Sequence, residues 1–167
     1  MNELDSWVKQ MESWYGLRKH DQVELLEPLV IAAPTQVWGP TITTLQSKAI
    51  ACWLDACLRV FENNRYEASE KAFQYLQLAY SKLQQVVCNP TAEYELKDWS
   101  MKRIQHLVVL LLEFCNQQSL TSKQELSDWK LQSHQIIEAH VHFMAANDHD
   151  ANLQNDDQGT SRSSVFH

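Results

Sequence analysis

Backbone breakers are scarce in this chain: 167 residues hold only three glycines and four prolines, and one of the glycines, Gly159, lies near the C-terminal end. A many-stranded sheet needs frequent tight turns, which draw on Gly, Pro and positive-φ positions. The composition therefore favours long helices joined by few connections. A chain of this length suits one domain that buries roughly two-thirds of its unfolded surface.

Apolar periodicity places the helices. Leu4, Trp7, Met11 and Trp14 recur at spacings of three and four and predict a helix over 4–15, capped by Asp5 or Ser6 and ended by a left-handed turn at Gly16. A shorter helix is expected over about 21–30, limited by Pro28. The segment 31–40, IAAPTQVWGP, reads as a loop with an exposed Trp38, and as a hinge between an N-terminal arm and the main body. Four long helices follow. The first, over about 43–62, turns Leu45, Ala49, Trp53, Cys57 and Val60 or Phe61 inward. The second, over about 66–87, buries Ala72, Phe73, Leu76, Ala79, Tyr80, Leu83 and Val87. The third, over about 90–116, has Asn89 as its cap and Pro90 in first position. Its run LVVLLL at 107–112 reads as apolar all round, which marks it as the central helix. The fourth starts at a capping box of Ser122 and Glu125 and continues to about 146, with Leu126, Trp129, Ile136, Ile137, Val141 and Met144 inward.

The remainder, 147–167, carries four aspartates against Arg162 and few aliphatic residues. It is expected to be a disordered acidic tail, because it cannot bury enough apolar surface to offset the entropy of ordering. The expected fold is an all-α antiparallel helical bundle of four to six helices. A single helical domain would cover 1–146, with 1–40 as arm and loop and 41–146 as bundle.

Charge and motifs exclude more functions than they suggest. The net charge is −7, and the densest basic group, Lys97, Lys102 and Arg103, has Asp98 among it. Affinity for nucleic acid through counterion release has few residues to draw on. The start, MNELDSWVKQ, lacks the basic and apolar pattern of a secretory leader, and the run 107–112 is far short of the roughly 20 residues that cross a bilayer. A cytoplasmic protein with no membrane association is expected. Cys52, Cys57, Cys88 and Cys115 form neither C-x-x-C nor a zinc spacing and read as small buried hydrophobes. Three glycines cannot build a phosphate-cradling loop of either common kind, and no nucleophile elbow occurs. No cofactor and no catalytic residue is assigned.

His134, Glu138 and His142 form the one pattern suggestive of a metal. They are spaced i, i+4, i+8 and line one helix face. A His–Glu pair one turn apart can hold zinc, but about 12 Å separate the two ends of the line, so one ion cannot touch both histidines. The competing reading is a solvated edge of the helix. His140 falls nearer the apolar face and would need a hydrogen-bond partner there.

Trp53, Ala56, Cys57, Val60, Asn64, Tyr66, Ser69, Phe73 and Leu76 follow a further pattern, which resembles a single tetratricopeptide helix hairpin of about 34 residues. Cys57 and Ser69 stand where that family uses Gly or Ala, the closing proline is missing and no second copy follows. One unit builds no solenoid, so the resemblance implies two tightly packed antiparallel helices. The layout of antiparallel helices with a flexible end also resembles small bacterial flagellar and secretion chaperones.

Six tryptophans are more than a bundle of this size needs. Trp7, Met11 and Trp14 on the arm, with Trp38 in the loop, are the candidates for partner binding, against the alternative that the arm docks on its own bundle. The expected function is non-enzymatic protein interaction, as an adaptor, chaperone or regulator that binds another protein or forms a homodimer. The alternatives are a helical metalloprotein and a nucleic-acid-associated regulator.

Overall fold

The computed structural model describes residues 2–17, 22–121 and 126–157. The protein is an all-α helical bundle: α1 (Glu3–Gly16), α2 (Leu26–Ile31), α3 (Thr44–Asn64), α4 (Ser69–Cys88), α5 (Tyr94–Thr121) and α6 (Leu126–Asp157), with short 3₁₀ turns at Val23–Leu25 and Thr35–Trp38. Among the described residues there is no strand, and no helix is long and apolar enough to cross a membrane. The chain divides into two compact parts, residues 1–110 and 111–167.

In the first part α3 is the element on which most of the others pack. Helices α1, α2 and α4 and both 3₁₀ turns pack against it, α4 most extensively. The short connection between α3 and α4 makes them an antiparallel hairpin, the packing that the tetratricopeptide-like pattern implies. Ala49, Trp53, Ala56, Cys57, Val60 and Phe61 of α3 meet a face of α4 built from Ala72, Phe73, Leu76, Ala79, Leu83 and Val87, all buried. Leu45 and Tyr80 are only half-buried. Small residues at Ala56, Cys57, Ala72 and Ala79 leave room for the large rings beside them.

The expectation that the third long helix is central is therefore corrected. The apolar run in α5 is not enclosed all round: Val109 is 52% exposed, and Leu110 and Leu112 are half-buried. Ile104, Leu107, Val108, Leu111 and Cys115 form an ordinary buried stripe at helical spacing. Six consecutive apolar residues look like an all-round apolar surface, but neighbours along a helix diverge by about 100° and need not share an environment.

Several helix ends differ from expectation, each for a local reason. Asn2, rather than Asp5 or Ser6, caps α1 by accepting from the Asp5 amide at 2.8 Å. Gly16 is still helical and Leu17 closes the helix right-handed; among the described residues Gly39 is the glycine with positive φ. The short second helix begins with a 3₁₀ turn, and Pro28 sits in the first turn of α2, where its missing amide costs nothing. Helix α5 starts at Tyr94 and not at Pro90, because the Asn89 side chain accepts from the Thr91 amide and hydroxyl and builds a turn there. The expected capping box at Ser122 and Glu125 lies outside the described residues. Helix α6 continues through 147–157, the first half of the expected tail. Ala145, Ala146, Ala151 and Leu153 are good helix formers, and extending a formed helix needs no new nucleus.

The loop before α3 is ordered by its contacts. Gln46, on the first turn of α3, donates to the Val37 carbonyl at 2.9 Å, and Thr43 caps the helix. The Gly39–Pro40 bond is cis. The Pro40 carbonyl accepts from the Glu93 amide at 3.1 Å, and the Glu93 carboxylate accepts from the Ile42 amide. These bonds fix the segment 38–43 to the start of α5.

Candidate interaction surfaces

The aromatic stripe of α1 is buried within the chain. Trp7, Met11 and Trp14 are all buried, Met11 to 0% exposure, and α1 packs on α2 and α3. Trp7 donates its indole N–H to the Leu29 carbonyl at 2.9 Å, and Trp14 donates to the Gln22 carbonyl at 3.1 Å. Trp38 is half-buried, not exposed: its ring stands edge-on to Trp53 at 4.4 Å, and the Lys82 ammonium lies 5.5 Å from its centroid. These four side chains form internal contacts, so in this state none of the arm's stripe faces outward.

A polar cluster reinforces the docking of α1. Tyr15 donates its hydroxyl to Asp55 on α3, and Arg59 donates to the same Asp55 oxygen at 2.7 Å while lying over the Tyr15 and Trp14 rings at 5.3 and 5.9 Å. Lys48 pairs with Glu12 one side further along. Burial first, then the hydrogen bond to Asp55, push the Tyr15 phenol well above its ordinary range. Burial likewise raises the half-buried Cys52 thiol, with Lys48 opposing. Phenol and thiol are thus held protonated near neutrality, which suits a structural clamp and not a nucleophile.

On α6 the side chains sort cleanly by angle. Trp129 is buried and meets Phe114 edge-on at 5.6 Å, and Ile136, His140, Phe143 and Asn147 on the same face are half-buried. His140 stacks obliquely near Phe143 at 6.3 Å, and burial lowers its pKa. Ile137 and Val141 were expected to point inward. Instead they flank this face and stand 46% and 60% exposed. Their Cβ directions lie about 90° and about 130° from the face's centre, outside the buried stripe.

His134, Glu138 and His142 follow next around the helix and are all exposed. Either adjacent His–Glu pair could offer two donors to a metal. Among the described residues no group of three or more His, Cys, Asp or Glu side chains is gathered so as to hold an ion. Of the cysteines, Cys57 and Cys115 are buried as expected, while Cys52 is half-buried and Cys88 is exposed.

A further surface feature was not anticipated from the sequence. Ile31, the last residue of α2, faces Glu70, Lys71, Gln74, Tyr75 and Leu78 of α4 across an open depression. The α4 residues come from consecutive turns on one side of the helix. Ile31 is 70% exposed and Leu78 half-buried, so the floor is partly apolar. Lys71 is paired with Glu27, and the Tyr75 hydroxyl donates to the same carboxylate oxygen at a long 3.5 Å. A sequence signal for this site existed only in two separate pieces, an aliphatic residue ending α2 and a half-apolar face on α4. Comparison with known protein families, curated proteins and solved structures gives no match for this chain.

Proposed function

We propose that this chain is a non-enzymatic protein-interaction protein, an adaptor, chaperone or regulator that acts through its helical surface. The observation that carries this reading is the pair Ile137 and Val141, one turn apart on α6 and 46% and 60% exposed. Isolated exposed aliphatics are common on any protein. Here two are aligned at i and i+4, with Ile136 and Met144 half-buried beside them. An amphipathic partner helix laid along that edge would cover all four.

The test compares the wild type with the double variant Ile137→Glu, Val141→Glu. Both positions are open to solvent, so the variant should melt within about 0.5 kcal/mol of the wild type. Cross-linking in the native extract, read by mass spectrometry, should show a stoichiometric partner held by the wild type and lost by the variant. Sedimentation equilibrium of the purified chain identifies a second copy as that partner. A partner retained by the double variant would remove this edge of α6 from the binding surface.

A further inference from the structure

We infer that the depression between the end of α2 and the N-terminal half of α4 docks a short peptide segment of another protein, one in which a bulky apolar side chain is accompanied by Lys or Arg. The inference rests on the reading of this chain as a protein-interaction protein and names the chemistry of a partner.

Shape and charge argue for that occupant together. Ile31, Leu78 and the Tyr75 ring surround a space open to solvent on one side, which suits a single aliphatic or aromatic anchor. At the rim, Glu70 and Glu27 outnumber Lys71 by one charge. Glu70 lines the depression, and Glu67 stands three residues earlier in the sequence, before α4 begins. Across from them, Glu27 stands beside Tyr75, with Glu24 one turn earlier in the chain. Lys71 is the lone basic residue at the rim, and Glu27 already neutralises it. No Lys or Arg occurs anywhere in 22–47. Glu70 sits in the first turn of α4 with its side chain exposed.

The same charges disfavour the chain's own segments as occupants. Residues 147–157 carry four aspartates and no Lys or Arg, and a second copy brings a net charge of −7 to a net negative rim. A basic–apolar peptide gains both terms: it buries its apolar side chain against Ile31 and Leu78 and places its cation by Glu70.

The test uses the full-length chain and random 12-residue peptides displayed on phage. Selected peptides should share a large apolar residue with Lys or Arg within about four positions. The best of them, labelled and measured by fluorescence polarisation, should bind Ile31→Glu about tenfold or more weakly, the scale of a lost anchor. Glu70→Lys should weaken the same peptide, and binding should fall as salt rises. Repeating the selection on Glu70→Lys should shift the enriched peptides toward Asp and Glu. Circular dichroism checks that both variants, each at a solvent-exposed position, remain folded.

Failure to enrich any sequence, enrichment without basic residues, or peptides that bind Ile31→Glu and Glu70→Lys as they bind the wild type would each overturn the inference. The Ile137→Glu, Val141→Glu variant separates the two readings. If it loses the extract partner while the groove variants keep it and no basic–apolar peptide is selected, the groove inference falls and protein interaction through α6 stands.

Discussion

Three indoles tie α1 and α3 to one short stretch of chain, and they differ in how readily water can replace them. Trp14 donates to the carbonyl of Gln22, an exposed residue; Trp7 to that of Leu29, half-buried; and Trp53 to that of Val30, buried, at 3.1, 2.9 and 3.1 Å respectively. Trp→Phe removes the N–H and part of the ring while keeping an aromatic face. The lost ring atoms should cost each variant about 1–2 kcal/mol, given that all three side chains are buried. What distinguishes them is the carbonyl left behind. Water can reach Gln22, so Trp14→Phe should add under about 1 kcal/mol, the net value of an ordinary hydrogen bond. At Val30 no water follows, and the stranded acceptor should add about 1–3 kcal/mol.

The expected order of destabilisation is therefore Trp53→Phe, then Trp7→Phe, then Trp14→Phe, with roughly 2–5 kcal/mol for Trp53→Phe, roughly 1–3 kcal/mol for Trp14→Phe and Trp7→Phe between them. Urea unfolding followed by far-UV circular dichroism measures it, with an unchanged slope showing that compactness is not altered. Equal losses at Trp14 and Trp53, or a loss at Trp53 below about 1 kcal/mol, would refute the argument that solvent access to the acceptor sets the cost.

Other consequences follow from single groups. Gly39→Ala should destabilise by about 2 kcal/mol or more, because φ is +88° and a Cβ would stand 2.7 Å from Leu96 Cδ2; adding Leu96→Ala should relieve the clash but not the backbone cost, and thermal melts of both variants read this. Burial pushes the Cys115 thiol up to about 11 and the Tyr75 phenol, helped by Glu27, up to about 12. The native state thus holds protons that the unfolded chain releases, so stability is complete below about pH 9 and falls as pH rises toward 11 and 12. Cys115→Ala should flatten the lower part of that decline in urea titrations between pH 8 and 11. With a thiol-reactive chromogenic disulfide, Cys88 should react first and Cys52 more slowly, while Cys57 and Cys115 wait for unfolding; early reaction of Cys57 would contradict its burial.

How much of this was legible in the sequence depends on which question a pattern can answer. Periodicity says which side of a helix is apolar: it found the stripe of α1 and most of that of α4. In α3 it found Ala49, Trp53, Cys57, Val60 and Phe61 but passed over Ile50, Leu54 and Ala56. It does not say what covers a stripe. Trp7, Met11 and Trp14 were equally compatible with a partner and with the chain's own α2 and α3, and only three-dimensional packing separates the two. The run at 107–112 shows the opposite weakness. Hydropathy along the chain overstated its burial, since Val109 points away from the face that holds Leu107, Val108 and Leu111. At Asn89 two local rules competed for one side chain, and the turn to Thr91 won over capping a helix at Pro90.

The candidate surfaces fail to show in sequence for a related reason. A docking groove is made where two elements distant in the chain end side by side, and neither carries its own signature. Ile31 reads as a loop residue, and Leu78 falls outside the stripe expected to be buried, until α2 is laid against the α3–α4 hairpin. The burial of α1 then acquires a functional sense. Through Leu29 and Gln22 it fixes both ends of the segment that leads into Ile31, and Trp53 fixes Val30 from the other side. An aliphatic residue left 70% exposed on so firmly anchored a turn is presented with little freedom to collapse inward. Binding there would lose little conformational entropy on the receptor side, the condition under which a small contact gains the most affinity. Three of the six tryptophans, Trp7, Trp14 and Trp53, thus lend rigidity to the segment behind the surface. That rigidity also predicts that Trp7→Phe weakens the selected peptide by a few-fold without touching it, while Trp129, on α6, leaves the peptide's affinity unchanged when altered to Phe. Equal affinity of the wild type and Trp7→Phe in the polarisation assay would break the link between the docked helix and the groove.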